Sequence, residues 1–120
     1  MSRQGHPYRL TVRHGPKVSR EKVETLDEAL AALEEHAKRI RAAGPLRPRK
    51  MIREFEPADQ VAGRVEISVG GGLLRRGTEA GIDVMGDGRF VAYAGGTRRE
   101  ELDDGSGGPF AAVGKALRRA

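Results

Sequence analysis

The chain of 120 residues contains no cysteine and no tryptophan, and only 4% of its residues are aromatic. Without cysteine there is no disulfide, no thiolate metal ligand and no cysteine nucleophile. Because aromatic side chains bury the most area each, their scarcity requires a core built from aliphatic residues. The length predicts one domain over residues 1–120, with a single hydrophobic core.

The sequence also lacks a long apolar run. A membrane-spanning helix needs about 18 consecutive apolar residues, and no segment of the chain provides them. The first ten residues are polar and lack the apolar stretch of a signal peptide. We therefore expect a cytoplasmic protein with no membrane partner.

The clearest predicted element is a helix over residues 26–43. Thr25 and Glu28 have the spacing of a capping box, in which each side chain satisfies a backbone N–H of the first turn. The apolar residues that follow are spaced by four and three, so they form one stripe along the helix: Leu26, Leu30, Leu33, Ala37 and Ile40. Gly44 and Pro45 end the helix.

Alternation of apolar and polar residues predicts the strands. Tyr8, Leu10 and Val12 alternate with polar neighbours, and residues 61–69 alternate throughout, with Val61, Gly63, Val65, Ile67 and Val69 on one face. Pro109 predicts the start of a second, short helix. The fold class is therefore α+β: an antiparallel sheet of four to six strands with two helices packed on one face, in the order β-(β)-α-β-β-β-α. Three segments are left open as strands: 17–24, 51–56 and 97–102.

A hairpin is predicted around Asp87 and Gly88, which we interpret as a two-residue turn. The register of that turn places two pairs on the core face, Val84 with Val91 and Ile82 with Tyr93. Met85 and Phe90 then pair on the opposite face, away from both helices. An exposed apolar patch usually marks a partner surface, so Met85 and Phe90 are candidate residues of a protein interface.

We find no recognisable catalytic or metal-binding constellation in the sequence. Residues 72–78 have the glycine spacing of a phosphate-binding loop, but the lysine that this loop requires is absent. His6, His14 and His36 are scattered, with no pair at the spacing of metal ligands. We therefore expect no metal, no cofactor and no enzymatic activity.

The net charge of +5 is concentrated in one segment. From Lys38 to Arg53 the chain has seven basic residues and no acidic one, and residues 44–50 within it form a connector rich in proline and arginine. The seven are candidate nucleic-acid-binding residues: Lys38, Arg39, Arg41, Arg47, Arg49, Lys50 and Arg53. Planar guanidinium groups bind phosphate in a bidentate manner, and a segment without acids accumulates positive potential.

Two functions of different classes follow from these patterns. The first is a non-enzymatic binding module that contacts nucleic acid or another polyanion, such as an acidic protein, through the basic segment. The alternative is a self-associating structural or protein-interaction domain, a homo-oligomer that uses the patch of Met85 and Phe90. A solvated connector with no ligand is the simplest interpretation of the basic segment.

From Leu26 onward, the order of helix, three strands and helix is similar to that of double-stranded RNA-binding domains. Those domains carry lysines at the start of the last helix, where they grip phosphates. At that position this chain has Pro109, Phe110 and Ala111. The resemblance is therefore one of element order, and it assigns no family.

Overall fold

The protein is described here by a computed structural model covering residues 8–44, 60–70, 78–95, 99–103 and 105–118. These residues form six strands, two α-helices and a short 3-10 turn. The strands are β1 (Tyr8–His14), β2 (Lys17–Val23), β3 (Val61–Val69), β4 (Thr78–Met85), β5 (Phe90–Ala94) and β6 (Glu100–Glu101). The helices are α1 (Leu26–Ala42) and α2 (Gly108–Arg118), and the 3-10 turn at Gly105–Gly107 precedes α2.

The predicted α+β class and element order are confirmed. The strands form one sheet in the spatial order β2-β1-β3-β4-β5-β6, and every neighbouring pair is antiparallel. Both helices lie on the same face of this sheet: α1 packs on β1, β3 and β4, and α2 packs on β4 and β5. We call the other side of the sheet, turned away from both helices, the open face.

The predicted start of α1 is confirmed in atomic detail. The Glu28 backbone N–H donates to Thr25 Oγ1 at 3.1 Å, and the Thr25 N–H donates to Glu28 Oε1 at 3.1 Å. Within the apolar stripe, Leu33, Ala37 and Ile40 are buried, and the remaining members pack against the core as partly buried residues. The helix ends at Ala42, one residue before the predicted end.

The core lies between the helices and one face of the sheet. Leu10 of β1, Val65 and Ile67 of β3 and Ile82 of β4 are fully buried there, because alternate residues of adjacent strands meet in register. At Gly114, an added Cβ atom would lie 3.1 Å from Leu30 Cδ1, so α2 approaches α1 closely at this glycine.

Strand β3 has the predicted range, but the predicted alternation between its two faces fails at one end. The pairing with β4 shifts between Val61 and Gly63, which indicates a bulge at this end of the strand. Val61 is therefore 45% exposed instead of facing the core, and Ala62 packs against the core in its place.

Two of the segments left open contain strands. Residues 17–23 form β2 at the edge of the sheet, with Val18 exposed on the open face and Val23 packed against the core. In residues 97–102 only Glu100–Glu101 form a strand, and residues 97 and 98 lie outside the described chain. Residues 51–56 lie outside it as well, as does the connector from residue 45 to 50.

The predicted register of the β4–β5 hairpin is wrong by one residue. Asp83 pairs with Val91 and Val84 pairs with Phe90. The loop has three residues, Gly86 to Gly88, because the Met85 N–H donates to the Arg89 carbonyl oxygen at 2.8 Å and closes the hairpin there. Gly88 has a φ of +95°, the left-handed conformation that the last residue of a three-residue loop adopts.

This shift exchanges the faces of every residue in β5. Val91 and Tyr93 lie on the open face, whereas Phe90 lies on the helix side and packs against the core. Met85 and Phe90 therefore do not pair on the open face, and the apolar patch predicted from their pairing is not formed.

Neither helix among the described residues is long and apolar enough to cross a membrane.

Candidate polyanion-binding surface

The predicted basic segment is only partly described, and its described members are already engaged. Lys38 Nζ lies 2.6 Å from Glu34 Oε2, and Arg39 Nη2 lies 3.1 Å from Glu35 Oε2, both as i,i+4 pairs on α1. The Arg41 guanidinium stacks over the Phe90 ring, with its central carbon 4.3 Å from the ring centroid. Arg47, Arg49, Lys50 and Arg53 lie outside the described residues.

A different group of basic residues comes together on the open face. Arg9 and Arg13 of β1 and Arg20 and Lys22 of β2 point to this side, because they alternate with residues that face the helices. All four side chains are exposed. We call these four residues the basic strip.

The register of β1 and β2 places like charges of the strip beside one another. Arg9 is directly opposite Lys22, and Arg20 lies opposite Thr11, between the two arginines of β1. On the other side of β1, Arg13 is directly opposite Arg64 of β3. Directly opposed like charges destabilise a sheet. The strip is therefore a local electrostatic cost to the fold.

In the part of the chain that is described, the carboxylate of Glu66 faces the strip from β3, opposite Thr11, and it accepts the hydrogen bond of the Tyr93 hydroxyl. The ion pairs found there involve none of the four residues of the basic strip. On β2 the carboxylate of Glu21 points to the helix side, where its Oε1 lies 2.9 Å from Nε2 of His36 on α1. The strip therefore presents four positive charges to solvent, in reach of a polyanion.

The neighbouring part of the open face is built differently, as a closed polar cluster. Arg64 Nε donates to Asp83 Oδ1 at 2.6 Å, and Arg99 Nη1 lies 3.6 Å from Asp83 Oδ2. The two guanidinium groups also lie over the Tyr93 ring, at 5.4 Å for Arg64 and 5.0 Å for Arg99. Covered in this way, Tyr93 is only 3% exposed.

The hydroxyl of Tyr93 completes this cluster. It donates to Glu66 Oε2 at 2.8 Å. Burial, together with the hydrogen bond to Glu66, raises the pKa of Tyr93 well above its ordinary value. The Tyr93 side chain lies over Gly81 of β4, where an added Cβ atom would lie 2.9 Å from the hydroxyl oxygen. Tyr93 therefore stays protonated and anchors the sheet.

Glu79 lies on the open face of β4, two strands from β1: it pairs with Ser68 of β3, which pairs in turn with Arg9. Burial raises the pKa of Glu79 from its ordinary value, and the charge of Glu66 raises it further. The open face is thus divided: exposed positive charge lies over β2 and β1, and a cluster of paired arginines and carboxylates lies over β3 to β5, with Glu79 also on β4.

The candidate interface residues occupy two separate environments. Phe90 makes an edge-to-face contact with Phe110 of α2, at 5.1 Å between ring centroids, as well as its contact with Arg41. Met85 is partly buried and lines a cavity of about 420 Å³ between the end of α1 and the β4–β5 loop. Whether either residue contacts a partner stays a prediction.

The basic strip was missed by sequence reasoning because its members lie in two segments, up to 13 residues apart, and the second segment also contains the acidic Glu21. The signal that could have found it is the β1–β2 hairpin register. Once His14 is paired with Lys17 around the turn at Gly15 and Pro16, Arg20 and Lys22 fall on the same face as the arginines of β1.

Comparison with known proteins adds no assignment. A scan against protein-family models, a search of curated proteins and a search of solved structures each found no match to this chain. The described residues contain no group of three or more His, Cys, Asp or Glu side chains that could hold a metal ion.

Proposed function

We propose that this protein is a non-enzymatic binding module that holds nucleic acid on the basic strip. The observation that carries the proposal is the exposed cross-strand pair of like charges, Arg9 with Lys22, flanked on the same face by Arg13 and Arg20. Such pairs weaken the sheet, and phosphate groups bound between them would offset the repulsion. The ligand therefore supplies the negative charge that the described part of the fold does not.

Phosphate is the part of the ligand that the strip suits best. Three of its four residues are arginines, whose planar guanidinium groups bind phosphate oxygens in pairs. Arg9 and Arg13 are four residues apart on one strand, or about 13 Å, so they can reach different phosphates of one chain.

Base recognition has little support on this face. Stacking of bases requires an accessible aromatic ring, and the ring of Tyr93 is enclosed by Arg64 and Arg99. Binding through phosphates alone is independent of base sequence and depends steeply on salt. We therefore expect similar affinities for duplexes of unrelated sequence.

The test is a fluorescence anisotropy titration with a short labelled DNA duplex at several salt concentrations. We compare the natural protein with the double variant Arg9→Ala/Arg13→Ala. Each lost phosphate contact reduces the slope of log K against log salt by about 0.9, so the double variant should lose about 1.8 from that slope. Affinity at low salt should fall in parallel.

The matched control is Lys38→Ala/Arg39→Ala, which removes the same charge from the solvent side of α1. Both residues are held in ion pairs with glutamates, so we expect this variant to keep most of the slope. The proposal is wrong if the natural protein does not bind at low salt, or if the control loses as much of the slope as the strip variant. An acidic protein as the true partner would show as binding to polyglutamate but not to the duplex.

A stability measurement separates a binding role from a structural one. Because Arg9 faces a like charge, and Arg13 faces an arginine that Asp83 already balances, the strip variant should resist urea at least as well as the natural protein. Marked destabilisation would mean that these arginines serve the fold instead.

A further inference from the structure

The two outer strands of the sheet have opposite charge. Strand β2 carries Lys17, Arg20 and Lys22 on one edge of the sheet. At the opposite edge, strand β6 consists of Glu100 and Glu101, and Asp103 follows it two residues later, so this edge carries three carboxylates. Within the described chain, β2 pairs only with β1 and β6 pairs only with β5. Each edge therefore has backbone groups available for a further strand.

The strand directions allow these two edges to meet between copies of the protein. Because every neighbouring pair in the sheet is antiparallel, the six-strand order makes β2 and β6 antiparallel to each other. A second copy placed beside the first in the same orientation would thus bring its β2 antiparallel to β6, with the helices of both copies on the same side.

In one register of this contact, acidic residues of one copy stand opposite basic residues of the next. Glu101 lies on the open face, since it pairs with Tyr93, and Lys22 lies on the same face. If Glu101 of one copy stands opposite Lys22 of the next, Asp103 stands opposite Arg20. The intervening positions place Glu100 opposite Val23 and Leu102 opposite Glu21, so this register contains no pair of like charges.

Pairing of identical edges is disfavoured by the same charges. Consider two copies of β2 that pair antiparallel, with the open faces of both copies on the same side. When the contact is centred on this part of the strand, Arg20 of one copy stands opposite either Arg20 or Lys22 of the other. Two copies of β6 place Glu101 opposite Glu101, or Glu100 opposite Glu100. Directly opposed like charges destabilise such pairs, so the favoured contact joins unlike edges.

We propose that copies of this protein associate head to tail, with β2 of one copy added to β6 of the next to form a continuous sheet. A contact between unlike surfaces does not close on itself in pairs, so it produces chains whose length grows with concentration. Only a few residues of β6 are available to pair, so the association is weak and salt-dependent. The inference does not rest on the proposed function. The two are linked because Arg20 and Lys22 serve both, so a bound polyanion competes with the incoming copy.

The test uses two charge-reversed variants in sedimentation velocity at low salt, without nucleic acid. Arg20→Glu/Lys22→Glu makes both edges acidic, and Glu101→Lys/Asp103→Lys makes both edges basic. Each variant alone should associate about tenfold more weakly than the natural protein, because two attractive cross-strand pairs become repulsive. An equimolar mixture should recover association, since each acidic edge then meets a basic one.

The matched control is Lys115→Glu/Arg118→Glu, which makes the same charge change on exposed positions of α2 and should associate like the natural protein. Circular dichroism establishes that all variants are folded. The proposal is overturned if the natural protein remains monomeric at the highest concentration, or if mixing the two edge variants restores nothing. The variant Glu101→Lys/Asp103→Lys leaves the basic strip intact and should still bind a duplex, so failure of self-association is distinguishable from failure of nucleic-acid binding.

Discussion

Replacing Leu33 with alanine tests whether α1 is seated on the sheet by its apolar stripe. Leu33 is fully buried, among the core residues of β1, β3 and β4. The substitution removes three carbon groups from the core, at about 0.8 kcal/mol each, or roughly 2.4 kcal/mol of transfer free energy. The cavity left behind brings the expected loss to about 2–5 kcal/mol, out of roughly 5–15 for a domain.

The matched control is Glu35→Ala, on the solvent side of the same helix. The side chains of Glu35 and its partner Arg39 are 68% and 66% exposed, so their pair contributes about 0.3–0.5 kcal/mol at most. Urea denaturation followed by the helical circular dichroism signal measures both variants. Equal unfolding midpoints for the two would refute the packing of α1 described above.

Three further substitutions test the open face. Gly81→Ala forces a Cβ atom against the carbonyl oxygen of Val65 and to 2.9 Å from the Cα atom of Glu66, so thermal unfolding should show a loss of about 1–3 kcal/mol or more. Tyr93→Phe removes the hydrogen bond to Glu66 and should cost about 1–2 kcal/mol in urea at neutral pH. Because the folded protein holds the Tyr93 proton to higher pH than the unfolded chain, stability should fall above pH 10, and the variant should show less of this fall. Glu79→Gln removes a carboxylate whose ionisation is opposed by burial and by Glu66, so it should raise the melting temperature at neutral pH and lose that advantage at pH values below the ordinary Glu pKa of 4.5. Unchanged melting at both pH values would mean that neither burial nor Glu66 opposes the ionisation of Glu79.

Local signals accounted for the elements that the sequence predicted correctly. The capping box at Thr25 and Glu28 and the apolar stripe of α1 depend on residues within a few positions of one another, and the structure confirms them. The strand over residues 61–69 is likewise encoded by its own alternation. Its bulge near Gly63 was not predictable, because it depends on how β4 pairs with this end of the strand.

The features that were predicted wrongly or missed depend on how distant segments of the chain pair with one another. The residues Asp87 and Gly88 suit a two-residue turn, but Gly86 extends the loop to three residues, and this one-residue difference exchanged the faces of Phe90 and Tyr93. The basic strip has the same origin. Its charges are scattered along the sequence and become neighbours only through the register of β1 with β2.

The most direct test of the central claim is a two-dimensional amide NMR titration of the ¹⁵N-labelled protein with a short DNA duplex at low salt. It reports which residues sense the ligand, whatever the affinity. We predict the largest shifts at the backbone amides of Arg9, Arg13, Arg20 and Lys22, with smaller changes along α1. Shifts concentrated at Lys38 and Arg39, or a spectrum that the duplex leaves unchanged, would contradict the assignment of the basic strip as the binding surface.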